Sequence, residues 1–174
     1  WRHPAVKAEL RALLTMLAAR ATTVTHELRL LAPIPLQAHA RYTRDEIRAA
    51  LGDLEAERPS SHQTGVHWSK RNRMDVFFVT LNKSASHFSP STSYRDYPIS
   101  EDLFHWESQS VTTPESPTGQ RYVRQGEGAT QVLLCVREVG KDGRGVAMPF
   151  LCLGLADYAS HRGSRPIALT WRLR

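Results

Sequence analysis

The sequence predicts an α+β domain, with a curved antiparallel sheet or small β-barrel preceded by helices. Apolar residues recur at helical spacing near the start of the chain, whereas short runs rich in β-formers, separated by turn residues, fill its second half. Hydrophobic residues make up 41% of the 174, which is enough for a core. We therefore expect a helical appendage over residues 1–34 and a β-rich C-terminal domain over residues 35–174.

Two helices are predicted in the appendage. The first covers residues 4–20, where Pro4 suits the first turn and one face carries Val6, Leu10, Leu13, Leu14 and Leu17. The second covers residues 24–31 and ends before Pro33.

A third, short helix is predicted just inside the β-rich domain. Thr43 and Glu46 have the spacing of a capping box, in which the hydroxyl and the carboxylate each accept a backbone N–H. Gly52 suits the position that follows the helix end. The helix therefore begins after Thr43 and ends before Gly52.

Six strands are predicted from alternating or continuous apolar runs. They cover residues 66–68, 75–82, 104–108, 130–139, 148–155 and 165–173, and the sequence GKDGRG over 140–145 forms a turn. The stretch from Lys83 to Gln125 contains many Ser, Thr, Pro, Tyr and His residues with little regular pattern. Long irregular segments in compact domains are usually functional, so we expect a binding region there.

The composition favours a polyanion as partner. The formal net charge is +6 and the pI is about 9.7, and Lys70, Arg71 and Arg73 form a tight basic cluster. Both cysteines, Cys135 and Cys152, lie in apolar runs and are expected to be buried free thiols. The sequence contains no run of 18 apolar residues. We therefore predict a soluble, cytoplasmic protein that does not engage a membrane.

Catalytic motifs are incomplete. His105 and Glu107 supply the first half of a zinc deaminase signature, but no Pro-Cys-x-x-Cys follows. There is no phosphate loop ending in Lys-Ser/Thr and no G-x-S-x-G elbow. We therefore expect a binding module rather than an enzyme, without metal or cofactor.

Polar and aromatic residues alternate in the stretch LFHWESQS and its surroundings. Cations hold phosphates, aromatics stack on bases, and Ser, Gln, His and Asp can read a base edge. The predicted nucleic-acid-binding residues are Lys70, Arg71, Arg73, Lys83, His87, Tyr94, Arg95, Asp96, Tyr97, His105, Trp106, Ser108, Gln109 and Arg121.

Seven of these residues are expected to converge on one concave surface: Tyr94, Arg95, Asp96, His105, Trp106, Ser108 and Gln109. Two alternatives stay open. The aromatics, including Phe104 and Trp106, can instead belong to the core, and Arg95 and Asp96 can form a structural ion pair.

Three strings carry a family resemblance: SPSTSYRDY, LFHWESQS and SPTGQRY. From Pro35 to Leu173 the chain resembles the domain of unknown function found at the C-terminus of bacterial superfamily II helicases. Those proteins often carry an N-terminal phospholipase-D-like nuclease domain. The resemblance implies that the partners are double-stranded DNA, including modified DNA, and the helicase and nuclease domains of the same chain.

This context favours a DNA-binding accessory module of a restriction-like defence protein that recognises a modified or flipped base. Modified-base readers of the SRA and PUA-like kind are small basic β-barrels, a comparison at the level of the fold alone. One alternative is a non-catalytic interaction domain that packs on the helicase motor without DNA contact. Another is a cryptic nuclease.

Overall fold

A computed structural model describes residues 3–21, 23–29, 33–54, 64–82, 95–128 and 130–174. It contains three helices, α1 (Pro4–Arg20), α2 (Arg44–Ala50) and α3 (Pro117–Val123). The strands are β1 (His26–Glu27), β2 (Gln37–Ala38), β3 (Arg41–Tyr42), β4 (Val66–Ser69), β5 (Met74–Thr80), β6 (Tyr97–Pro98), β7 (Leu103–Glu107), β8 (Gln131–Arg137), β9 (Phe150–Arg162) and β10 (Ala168–Leu173).

Eight strands form one curved sheet in the order β4-β5-β8-β9-β10-β7-β6, with β3 paired to the start of β9. All of its pairs are antiparallel except β5–β8, which is parallel. The predicted α+β class with a curved, mainly antiparallel sheet is confirmed. The edge strands β4 and β6 do not pair with each other, so the sheet is not closed into the barrel that was the other expectation.

The sheet separates two hydrophobic cores, and β5 contributes to both. Phe77 and Val79 face the first core, whereas Val76 and Phe78 face the second, because successive side chains of a strand point to opposite faces. Burial on both faces explains why this strand reads as a continuous apolar run.

Each core is closed by a helix. Tyr122 of α3 is buried in the first core, and Ile47 of α2 is buried in the second. The ring of Phe77 on β5 stacks on Trp106 of β7 with centroids 4.0 Å apart. Because these strands are not neighbours in the sheet, the contact requires the sheet to curl around the first core.

The leading segment differs from the prediction in one respect. Helix α1 forms where expected, and none of its described residues is buried. The second predicted helix, over 24–31, is wrong in its described part, where His26 and Glu27 form a strand paired with Gln37 and Ala38. Pairing with β2 outweighs the weak local helix preference of this segment.

Helix α3 lies inside the long stretch that was expected to be irregular. Ser116 caps it by accepting from the Gly119 N–H at 3.1 Å, and Pro117 occupies the first turn. A Cβ added at Gly119 would lie 1.9 Å from the Thr113 carbonyl oxygen. The SPTG part of the motif SPTGQRY therefore has a structural explanation: the helix start packs tightly against the preceding turn.

Both cysteines are free and buried, as predicted. Cys135 of β8 and Cys152 of β9 face each other across the strand pair. Along the described ranges, no helix combines the length and the apolar character needed to span a bilayer.

The capping box of α2 is present as predicted, and its contribution to the free energy of unfolding can be measured. The Thr43 hydroxyl accepts from the Glu46 N–H at 3.2 Å, and the Glu46 carboxylate accepts from the Thr43 N–H at 2.6 Å. We expect Thr43→Ala to lower the free energy of unfolding by about 1 kcal/mol, because it leaves a helix N–H without its partner. Urea denaturation followed by circular dichroism measures the change.

The matched control is Thr15→Ala in the exposed helix α1, where the hydroxyl donates to the Arg11 carbonyl instead of capping. There we expect a change within about 0.5 kcal/mol. Equal effects of the two substitutions would contradict a stabilising role for the cap.

Candidate nucleic-acid interface

The predicted site residues do not gather at one place. Lys83, His87 and Tyr94 lie outside the described residues. The remaining residues divide between the β6–β7 edge of the sheet, the first core, and the turn between β4 and β5 with the adjoining helix α3.

Three members of the predicted pocket are buried, among them His105, which is 6% exposed. Trp106 is 4% exposed, and its ring stacks on Phe77. Ser108 is fully buried, and its hydroxyl accepts from the Ile167 N–H at 2.9 Å. The alternation of β7 directs Trp106 towards the first core. The ring is therefore not available as a stacking platform for a base, and the structure supports the alternative that this aromatic is core.

Four predicted residues, Arg95, Asp96, Tyr97 and His105, lie at the β6–β7 edge. The Tyr97 ring, which is 45% exposed, stacks on His105 with centroids 4.7 Å apart. A carboxylate oxygen of Asp96 accepts from the Glu107 N–H, and the Arg95 N–H donates to the Glu107 carboxylate, each at 3.1 Å. These bonds tie the segment before β6 to the end of β7.

The convergence of seven residues on one concave surface is therefore not what the structure shows. Arg95, Asp96 and His105 do lie together, but Trp106 and Ser108 point into the opposite side of the sheet. Gln109 is exposed beyond the strand end, where its carbonyl accepts from the Thr112 N–H at 2.9 Å.

The basic cluster predicted from sequence lies at the turn that joins β4 to β5. Lys70, Arg71 and Arg73 are all exposed. The Asn72 side chain fixes this turn by donating to the Leu51 carbonyl at the end of α2, at 2.8 Å. The Arg73 guanidinium donates to the Gly128 carbonyl at 2.7 Å and so links the turn to the segment after α3.

Arg121 of α3 adds a rigidly held cation beside this turn. Its Nε and Nη2 atoms donate to the two carboxylate oxygens of Asp75, at 3.0 and 3.1 Å. Its Cζ atom lies 4.4 Å from the ring centroid of Trp68. The two bonds use two of the five N–H groups of the Arg121 guanidinium. The remaining N–H groups, held in a fixed orientation, can donate to an acceptor on a ligand.

Hydrogen bonding within this pair opposes the effect of burial on the two charges. Burial raises the pKa of Asp75, which is 1% exposed, and the bonds from Arg121 partly offset that rise. Burial lowers the pKa of Arg121, but the bonds and the charge of Asp75 outweigh it, so that the pKa is raised. Arg121 therefore stays cationic at any physiological pH.

We call the group formed by Lys70, Arg71, Arg73, Arg121 and Arg124 the basic end. Arg124 lies one turn after Arg121, is exposed, and approaches Glu127 at 3.9 Å. Sequence reasoning missed Arg124, and it also missed Trp68 and the buried Asp75 as the residues that hold Arg121. The spacing of Arg121 and Arg124 could have indicated the first of them, but only once α3 was recognised as a helix.

In the described part of the chain, no three His, Cys, Asp or Glu side chains come close enough together to hold a metal ion. The charged groups of the basic end are guanidinium and ammonium groups, which bind phosphate and carboxylate oxygens.

Comparison with protein families identifies a match. The family model described as Domain of unknown function (DUF3427) matches residues 36–174. No curated protein matches the chain significantly. The matched range covers the whole sheet and begins after β1, so that α1 lies outside it. Because the match spans most of the sequence, the chain belongs to the Domain of unknown function (DUF3427) family.

Proposed function

We propose that this domain is a DNA-binding accessory module that contacts phosphates through its basic end. The observation that carries the proposal is the placement of five cations on one turn and the adjoining helix, with Arg73 and Arg121 fixed by hydrogen bonds to the protein. Lys70 and Arg71 extend from the same turn and are exposed. Phosphate contacts of this kind supply most of the sequence-independent affinity for DNA.

The resemblance to terminal domains of bacterial superfamily II helicases supports DNA as the polyanion. In this proposal the domain belongs to a helicase of restriction-like defence, whose motor and nuclease domains are its partners in the same chain. The domain itself performs no catalysis and holds the DNA for the motor. The net charge of +6 adds a favourable long-range field.

Charge reversal tests the proposal directly. We expect Lys70→Glu combined with Arg71→Glu to weaken binding to duplexes of every sequence alike, because phosphates carry no sequence information. The slope of log affinity against log salt should become shallower by about 2, one counterion for each lost phosphate contact. Fluorescence anisotropy over a salt series measures both quantities.

The matched control is Lys141→Glu with Arg144→Glu, which makes the same charge change in an exposed turn between β8 and β9. It should leave most of the affinity and the salt slope in place. Equal losses in the two double variants would mean that net charge alone, and not the basic end, determines binding.

The same measurements test recognition of a modified base, the finer part of the proposal. Tyr97 is the exposed aromatic among the described residues of the predicted set. Unmodified, methylated, hydroxymethylated and phosphorothioate duplexes and single strands are compared. A preference among them that Tyr97→Ala abolishes would support base recognition at the β6–β7 edge.

A second candidate function is docking on the helicase motor without DNA contact. The observation that favours it is the apolar stripe of α1, where Val6, Leu13 and Leu17 are 61%, 46% and 52% exposed. An apolar helix face of this kind is typical of a packing surface. The absence of salt-dependent DNA binding by the wild-type domain would favour this function over the first.

A further inference from the structure

Strand β9 extends past the end of the sheet that carries the basic end. Strands β5 and β8 run in parallel and start side by side, with Met74 opposite Gln131, and the turn that joins β4 to β5 lies directly before β5. Strand β9 runs in the other direction, and its last residue paired with β8 is Ala156. Residues 157–162 of β9 therefore project beyond the point where β5 and β8 begin.

Gln125 ties the end of α3 to this part of β9. It directly follows Arg124 of the basic end and is 4% exposed. Its side-chain carbonyl accepts from the Tyr158 N–H at 3.1 Å. The end of α3 is therefore fixed to β9 on one side, while the bonds between Arg121 and Asp75 fix it to β5 on the other.

A β-bulge at Ala159 places Tyr158 and His161 on one face of the sheet. Ala159 has no counterpart on β10, whereas Tyr158 is opposite Trp171 and His161 is opposite Leu169. Trp171 and Leu169 both belong to the first core. Residues three apart on a regular strand point to opposite faces, but the extra residue turns His161 to the same side as Tyr158, the side that α3 covers.

The Tyr158 hydroxyl holds the exposed His161 ring in place. Its oxygen lies 2.6 Å from His161 Nδ1, and the Tyr158 ring packs against the first core, edge-on to Trp171 with centroids 6.4 Å apart. When the hydroxyl donates to Nδ1, the neutral imidazole carries its proton on Nε2. The Nε2–H group is then the donor that the exposed ring can offer to a ligand.

We propose that His161 contacts a backbone phosphate of the DNA that the basic end binds, and that Tyr158 positions the imidazole for this contact. The inference rests on the proposed function, and it extends the DNA surface from the basic end, across the end of α3, to β9. Side-chain and backbone donors of many kinds contact phosphate oxygens in protein–DNA complexes. Bulges beside functional sites re-aim a side chain, as the bulge at Ala159 does for His161.

The duplex affinity of the whole chain, measured by fluorescence anisotropy, tests the contact. We expect His161→Ala to weaken binding about three- to tenfold, the equivalent of one net hydrogen bond, and by the same factor on duplexes of different sequence. The matched control is Arg162→Ala. Arg162 is the next residue on β9, is exposed and points to the opposite face, so its loss should cost less affinity although it removes a full charge.

A double-mutant cycle tests the positioning role of Tyr158. Tyr158→Phe keeps the ring and removes only the hydroxyl, so we expect it to weaken duplex binding about twofold or more in the wild-type background. In the His161→Ala background it should leave the affinity unchanged, because the hydroxyl has no imidazole to hold. The same loss in both backgrounds would show a purely structural hydroxyl and overturn this role. Circular dichroism shows whether each variant is folded.

The remaining outcomes separate this inference from the proposed function. Unchanged duplex affinity in His161→Ala, or a larger loss in Arg162→Ala, would overturn the inference and leave the basic end as the DNA contact. A loss confined to some sequences would assign His161 to a base edge and overturn the phosphate contact. If the proposed function itself fails, the wild type binds no DNA, or the basic-end double variant and its control lose affinity equally.

Discussion

Replacing Trp106 by alanine is expected to lower the free energy of unfolding by about 3–5 kcal/mol, the usual cost of truncating a large buried aromatic. The ring is 4% exposed, stacks on Phe77 at 4.0 Å, and meets the Tyr122 ring edge-on at 5.4 Å. Removing it leaves a cavity between β5, β7 and α3 that these rigid elements cannot fill. Urea denaturation followed by far-UV circular dichroism measures the loss.

Tyr97→Ala provides the comparison, because this aromatic belongs to the same predicted set but is 45% exposed. We expect it to cost less than about 1 kcal/mol. If Trp106→Ala were as stable as the wild type and instead lost DNA affinity, the ring would not be part of the core. The sequence-based hypothesis of a stacked base would then be restored.

Replacing Asp75 by alanine is expected to lower the free energy of unfolding by about 3 kcal/mol, at the lower end of the range for breaking a buried ion pair. The carboxylate is 1% exposed and bonded twice to Arg121. Its loss leaves the guanidinium without a counter-charge beside Tyr122 and Trp68. The cost falls at the low end because the Arg121 side chain is 24% exposed and can recover some hydration.

A double-mutant cycle isolates this interaction. With Arg121→Ala already in place, Asp75→Ala should cost clearly less than it does alone, since the carboxylate no longer has its partner. Equal costs in both backgrounds would show that the pair does not stabilise the fold. Arg121→Lys keeps the charge but loses the bidentate geometry, so it should retain part of the DNA affinity while losing part of the stability.

Much of the fold could be predicted because its signals are local. Thr43 and Glu46 define the start of α2 by bonds within one helical turn, and Gly52 has the positive φ of +73° that suits a helix end. The continuous apolar run of β5 and the alternation of β10 likewise predicted strands where the structure has them. Helix α3 escaped prediction because its seven residues include Pro117 and Gly119, which are also typical of turns.

The candidate site depended much more on distant contacts. The sequence by itself determined the α+β class, the approximate positions of six strands, the buried thiols and the tight basic cluster of Lys70, Arg71 and Arg73, but not the short strands β1, β2, β3 and β6 or the extension of β9 to Arg162. It could not determine which aromatics are buried, because alternation places His105 and Trp106 on opposite faces of β7 but does not say what covers either face, and both are buried.

Only the tertiary structure decided that question, through the curl of the sheet that brings β5 against β7 and buries Trp106 on Phe77. The tertiary structure also places Arg121 beside the basic turn, because its guanidinium bonds to Asp75, which is 46 residues away in sequence. Helix α3 lies directly before β8, which pairs in parallel with β5. Contacts between residues so far apart leave no periodic signal in the chain, since they depend on how whole elements pack rather than on local spacing.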